Sequence, residues 1–165
     1  MTTYRVILLC LLSLAVLAGC NRSKTISTPS GNVKVEESGK GGQSTVTFTG
    51  KEGEKLTFNS EGGKIPDDYP KDVPVAAGAK VMMATTATNA GNFGSSLVLE
   101  SSDSHDKVLA FYKKGLADNG WKIETTIAQA NMTIIAATKD KRSLSLQIGE
   151  SEGKTSITQI VGTKN

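Results

Sequence analysis

The stretch Ser101-Ser102-Asp103-Ser104-His105-Asp106 places hydroxyls, carboxylates and the chain's single histidine within six positions. These are the residue types from which a nucleophile, a base and an orienting carboxylate are assembled. A working triad gathers them from separate loops, because neighbours within one turn rarely reach each other with the required geometry. The spacing suits the start of a helix better. Ser104 is expected as the N-cap, its oxygen receiving free first-turn amides, and Asp103 and Asp106 suit the positive end of the helix dipole. A metal shell from Asp103, His105 and Asp106 lacks a second histidine, and beyond the amino-terminal segment the only cysteine is Cys20. No catalytic residue and no metal ligand is assigned, and no cofactor is expected.

Three other groups have a bland reading beside a chemical one. Asp67, Asp68 and Asp72 lack the ligand spacing of a calcium loop and read as a solvated acidic turn. The segment Gly91-Asn92-Phe93-Gly94 has neither the lysine-serine ending nor the following helix of a phosphate loop. It reads as a hairpin turn, with Phe93 either tucked in or offered to a partner. Lys139, Lys141 and Arg142 read as a solvated basic turn, contact with lipid phosphates being the alternative. The residues that bind a partner stay unassigned.

The elements that would carry these groups follow from hydrophobic period. Val46 and Phe48 alternate, as do Leu56 and Phe58 beyond a Gly-containing turn, which predicts a β-hairpin with all four on one face. Pro66, Pro70 and Pro74 then fix their own φ and push the preceding residues to extended geometry. Residues 64 to 75, with Ile65, Tyr69, Val73 and Val75 between the prolines, are expected as an extended strap along the domain edge. Lys80 to Thr88 and Ser95 to Ser101 read as strands with Val81, Met83, Leu97 and Leu99 inward. Val108, Phe111, Tyr112 and Leu116 share one helix face, and Asn119-Gly120 ends the helix with a left-handed cap. Trp121 and Ile123, Thr133 to Thr138, Leu144 to Ile148 and Ser156 to Val161 read as further strands, with Trp121 in the core. The fold class expected is α+β: an antiparallel sheet with one packed helix in the order β-β-α-β-β-β, preceded by the hairpin and the strap.

The amino terminus carries a different message. Arg5 precedes a nearly unbroken apolar run from Val6 to Ala18 that ends in small residues, the pattern of a secretory signal. The run is too short for a permanent span, which takes about 20 residues. Leu17-Ala18-Gly19-Cys20 resembles the lipobox of bacterial lipoproteins. The resemblance implies thioether lipidation of Cys20, cleavage before it and acylation of the new amino group. Asn21, where an aspartate would signal inner-membrane retention, implies the periplasmic face of the outer membrane in a Gram-negative host. In a single-membrane bacterium the same anchor lies on the outer face of the plasma membrane.

The expected organisation is a signal peptide over 1–19, a lipidated flexible tether over 20–43, hairpin and strap over 44–75, and an α+β domain over 76–165. The tether reading rests on the Ser, Thr, Gly and charge of residues 21 to 43, with a short edge strand through Val33 and Val35 as the alternative. With Cys10 in the removed segment, Cys20 has no partner for an internal disulfide. The formal charge is +3 for the whole chain and +2 once Arg5 is removed. So even a balance implies no nucleic-acid partner.

The combination of Ile65-Pro66-Asp67-Asp68-Tyr69-Pro70, of a helix carrying Phe111-Tyr112 and closing on Gly120-Trp121, and of the hairpin through Arg142-Ser143-Leu144 resembles a family of small secreted bacterial proteins and lipoproteins of unassigned function, over roughly residues 44 to 162. Such proteins often have Tyr-Pro where this chain has Ala76-Ala77, and the resemblance implies no catalytic residues. The function expected is a non-enzymatic, membrane-anchored envelope lipoprotein. Its partners would be the bilayer, through acylated Cys20, and an envelope protein or cell-wall component. The rivals are a structural or lipid-handling accessory, which an apolar cleft between helix and sheet would favour, and a hydrolase or metal-dependent enzyme, which converging polar groups in a deep pocket would favour.

Overall fold

The computed structural model describes residues 22–38, 43–60 and 64–163. The strands are β1 (Arg22–Thr28), β2 (Gly31–Ser38), β3 (Gln43–Gly50), β4 (Lys55–Asn59), β5 (Lys80–Asn89) and β6 (Asn92–Ser101), then, after the helix α1 (His105–Asp118), β7 (Lys122–Gln129), β8 (Met132–Lys139), β9 (Arg142–Ser151) and β10 (Lys154–Thr163). All ten lie in one antiparallel sheet ordered β1-β2-β3-β4-β5-β6-β10-β9-β8-β7.

This corrects the expected α+β class. The protein is β-rich, with a single helix among the described residues, and the four strands after that helix fall on the four segments read beyond Gly120, where the order β-β-α-β-β-β counts three. Within the segment expected as a tether, residues 22–28 and 31–38 are β1 and β2, and Val33 and Val35 lie in β2, in line with the strand given as the alternative. Their content of Ser, Thr and charge reads as solvated chain, yet Thr, Val and Ile favour strands, and β3 offers a backbone edge to pair with. Val33 lies opposite Phe48, and Val35 opposite Val46. The β3–β4 hairpin is continuous with the rest of the sheet through β4 and β5.

One face of β5–β10 carries the core. Ala84, Leu97, Gln159, Leu146 and Ile135 form a cross-strand row, and Leu99, Ile157 and Ile148 form the next. Leu97, Leu99, Leu146, Ile148, Ile135 and Ile157 are wholly buried, each contributing about 1.5–3 kcal/mol through removal from water. Val108, Tyr112 and Leu116 of α1 pack onto this face. Phe111, expected beside them, is 40% exposed and meets Tyr112 edge-on at 5.1 Å between ring centres. Met83 also departs from expectation: a bulge between Val81 and Met83 shifts the register and turns Met83 outward.

The helix ends as its sequence dictates. Gly120 has φ +77°, its N–H donates to Ala117 O, and the Trp121 N–H donates to Leu116 O, the paired bonds of a Schellman motif. The helix start differs. The Ser104 side chain makes no cap bond, and instead the His105 N–H donates to Glu150 Oε2 at 3.3 Å. A carboxylate on β9 thus serves the first amide of the helix, one residue short of those an N-cap hydroxyl would reach.

The proline segment is folded rather than extended. The Tyr69 N–H donates to Pro66 O and the Val73 N–H to Pro70 O, giving two successive turns. These bring Pro66, Tyr69 and Val73 into buried positions, so the segment covers the core face beside α1 instead of following an edge. At Gly115 the approach is close: an added Cβ would lie 2.9 Å from Pro74 Cγ.

Candidate functional site

The histidine cluster was the densest chemical group in the sequence, and the fold adds a member to it. Thr133 Oγ1 on β8 lies 3.0 Å from His105 Nε2, and His105 Nδ1 lies 3.3 Å from Asp106 Oδ1. The order hydroxyl, imidazole, carboxylate imitates a triad. Thr133 is only 2% exposed, however, so no substrate carbonyl can reach its hydroxyl, while the Asp106 carboxylate stands in open solvent. Asp103 accepts from Lys107 Nζ at 2.7 Å. The cluster fastens the start of α1 to β8 and β9. Among the described residues, no three His, Cys, Asp or Glu side chains gather in a way that would hold a metal.

The three aspartates of the proline segment separate. Asp67 is exposed, Asp68 accepts from Thr86 Oγ1 at 2.9 Å and from Lys55 Nζ at 3.2 Å, and Asp72 meets the basic turn. Lys139 Nζ donates to Asp72 Oδ2 at 2.7 Å, and Arg142 donates to both carboxylate oxygens. The hydrogen bonds from Arg142 hold the Asp72 carboxyl well below the usual carboxylate range, with Lys139 adding to them against the opposing effect of partial burial. The same pairing raises Arg142. Arg142 also lies over the Trp121 ring at 5.1 Å, and Trp121 Nε1 donates to Asp72 O at 2.9 Å. The solvated basic turn expected from Lys139, Lys141 and Arg142 is thus corrected: only Lys141 is exposed, and the other two clamp the proline segment to the β8–β9 hairpin.

Beneath that segment, Gln159 interrupts the apolar row of the core. It is wholly buried and satisfied on both sides of its amide. Tyr69 Oη donates to its Oε1, and its Nε2 donates to Tyr112 Oη at 2.6 Å and to Pro74 O at 3.0 Å. Burial raises both phenols, Tyr69 far above its ordinary value and Tyr112 to about 12. The network joins segment, helix and sheet and leaves no room for a substrate. Between helix and sheet, Val108, Tyr112 and Leu116 pack against Leu97, Leu99, Leu146 and Ile157 in one core cluster.

A cleft of about 710 Å³ lies on the opposite face of the sheet. Its position follows from register. Thr85, Ser96, Ile160, Ser145 and Ala136 form one cross-strand row, and Ala87, Gly94, Gly162, Ser143 and Thr138 form the next. All of them line the cleft, which Glu124 borders on β7. Small side chains on adjacent strands leave a trough, and Ile160 stands 55% exposed in its middle. In the same two rows β4 contributes Phe58 beside Thr85 and Leu56 beside Ala87, and these are 41% and 44% exposed. In its lining Thr138 Oγ1 donates to Glu124 Oε1 at 3.0 Å.

Of these outer-face residues, only Leu56 and Phe58 were singled out from the sequence, as one face of the β3–β4 hairpin. Ser143 and Ser145 alternate with Leu144 and Leu146, and such small polar positions read as a solvated face. The one available signal was Ile160, an apolar side chain out of phase with the buried Ile157, Gln159 and Val161. Phe93, left between two readings, is partly buried against the core, and its N–H donates to Thr163 Oγ1 at 2.8 Å. Cys20 lies outside the described residues.

Fold and cleft together define a broad antiparallel sheet backed by one helix on one face and open on the other. Residues 81–154, from the second residue of β5 to the first of β10, match a family model described as START domain-like. No curated protein and no solved structure matches the chain. No described helix is long and apolar enough to cross a membrane.

Proposed function

We propose that this protein is a lipid-anchored component of a bacterial envelope that binds a partner protein or cell-wall component through the open face of its sheet, without catalysis. One observation carries the binding reading. The face opposite α1 bears the 710 Å³ cleft, with Ile160 55% exposed in it and Met83 and Ile127 39% and 48% exposed in the neighbouring cross-strand row. A monomer that had only to remain folded and soluble would place polar side chains there, and contiguous exposed apolar surface marks interaction sites. The START domain-like match over residues 81–154 is consistent with a binding module. Anchoring is supported by the apolar run from Val6 to Ala18 and by Leu17-Ala18-Gly19-Cys20.

The test has two arms. Cys20→Ser is expected to release the protein from membranes or to leave an uncleaved precursor, and wild-type fractionation and migration of this variant would refute the anchor. A photo-crosslinking residue at position 160, in intact cells, is expected to trap a discrete species that the same residue at position 113 on α1 does not. Equal results at the two positions would refute the open face as the binding surface.

A second reading is supported by the volume of the cleft, which lies within the range of small-molecule sites. Here the occupant is a small apolar ligand, and native mass spectrometry of protein purified in mild detergent would carry an added mass that Ser96→Trp abolishes.

A further inference from the structure

We propose that the part of the open face formed by β1–β4 rests on the lipid surface itself, leaving the cleft over β5–β10 for the partner. This rests on the anchor reading above. In β5–β10 the fully buried apolar side chains face α1, and Met83, Val98, Ile127, Ile134 and Ile160 lie on the outer face, whereas in β1–β4 every apolar side chain lies on the outer face. Ile26, Val33, Phe48 and Leu56 form one cross-strand row, and Lys24, Val35, Val46 and Phe58 form the next. Both rows continue directly into the outer-face rows that hold Ala87 and Thr85. The opposite side of the same strands runs through Lys34, Thr47 and Thr57. Seven apolar side chains therefore line the face that α1 does not cover, and Ile26, Leu56 and Phe58 are 57%, 44% and 41% exposed.

The start of the chain determines what covers this face. β1 begins at Arg22, two residues after Cys20, and two extended residues span about 7 Å. An acylated Cys20 lies at the boundary of acyl chains and headgroups, so β1 has no slack with which to leave the headgroup layer. The strand held there carries Ile26 and Lys24 on the apolar face. A cation among apolar side chains suits an anionic lipid surface, where the ammonium meets phosphate while the apolar groups enter the boundary region. The sheet would thus lie against the membrane by its β1–β4 end.

The experiment uses the full chain, purified from membranes and reconstituted into vesicles of phosphatidylethanolamine and phosphatidylglycerol. An environment-sensitive dye is attached at Phe58→Cys and, separately, at Ile26→Cys, with Lys113→Cys on α1 as the reference and the unsubstituted chain as the labelling background. The expected result is blue-shifted emission at 58 and 26 that doxyl-labelled lipid quenches, with emission at 113 remaining aqueous and unquenched. Aqueous emission at all three positions would overturn the proposal. So would blue-shifted but unquenched emission at 58 and 26, which would show the face covered by a second copy or another protein. The intact mass reports the anchor independently. Missing acyl mass would refute lipidation whatever the dye shows, whereas full acyl mass with unquenched dyes would refute the docked face alone.

Discussion

Arg142 meets Asp72 in a two-bond fork, Nη1 to Oδ1 at 2.9 Å and Nη2 to Oδ2 at 2.5 Å, across 70 residues of sequence. The pair fixes where the proline segment lies, because Asp72 also gives its backbone carbonyl to Trp121 Nε1. Each partner side chain is about a quarter exposed, so the pair sits between the surface case, where such bonds contribute little, and the buried case, where losing one partner is costly.

The first expectation concerns acid. The Asp72 carboxyl is held below its ordinary value in the fold, so its contribution to stability is complete above the unfolded value of about 3.9 and declines as pH falls below it. Asp72→Asn is expected to cost about 1 to 2 kcal/mol at neutral pH and progressively less in acid. Urea midpoints of both proteins across this range would check it, and a penalty that does not shrink in acid would show that the charge is not what matters.

Alkali acts through the phenols. Tyr69 and Tyr112 are both raised by burial, Tyr112 to about 12, so stability is complete below the unfolded phenol value of about 10 and is lost as pH rises above it. In the form cleaved before Cys20 that the proposed anchor implies, Tyr4 is lost and these are the two remaining tyrosines. Phenolate absorbance of the folded protein should therefore stay flat through pH 10 and rise only with alkaline unfolding.

At Gly115 two effects oppose. Alanine gains about 1 kcal/mol of helix propensity, but its Cβ would lie 2.9 Å from the ring of Pro74, and overpacking costs about 1–3 kcal/mol. Gly115→Ala is expected to be neutral to destabilising alone and stabilising in a Pro74→Ala background. Thermal midpoints of the double-mutant cycle would test the sign, and equal effects in both backgrounds would remove the contact from consideration.

The helix start has a distinct ranking. Ser104→Ala should lie within about 0.5 kcal/mol of neutral, because its hydroxyl makes no cap bond. His105→Ala removes the side chain opposite the buried Thr133 Oγ1 and is expected to cost about 1–3 kcal/mol. Glu150→Gln, which removes the charge beside the His105 N–H, should cost about 0.3–1 kcal/mol. Trp121→Ala, at a buried position, should exceed them all at about 3–5 kcal/mol. Urea melts rank the four, and a Ser104 penalty above that of His105 would restore the serine cap.

Local patterns in this chain were legible because their causes are local. The face of Val108, Tyr112 and Leu116 follows from helical period, the end at Gly120 from the backbone freedom of glycine, and the pairing of Val46 with Phe58 from alternation across a short turn. The anchor proposed at Leu17-Ala18-Gly19-Cys20 is likewise read from a contiguous string. Long-range partners were not legible in this way. Nothing near residue 72 indicates that its carboxylate will meet Arg142, and nothing near residue 159 indicates that its amide will be enclosed by two phenols. Strand β1 was missed, and β2 entered only as the alternative short strand through Val33 and Val35, for a related reason: backbone pairing to β3 orders them, and hydrogen bonds between main chains leave little trace in side-chain composition. The open face was hidden because period two assigns residues to alternate faces without saying which face a helix will cover. Tertiary packing made that choice, placing α1 and the proline segment over Leu97 and Ile157 and leaving Ile160 and Phe58 outside.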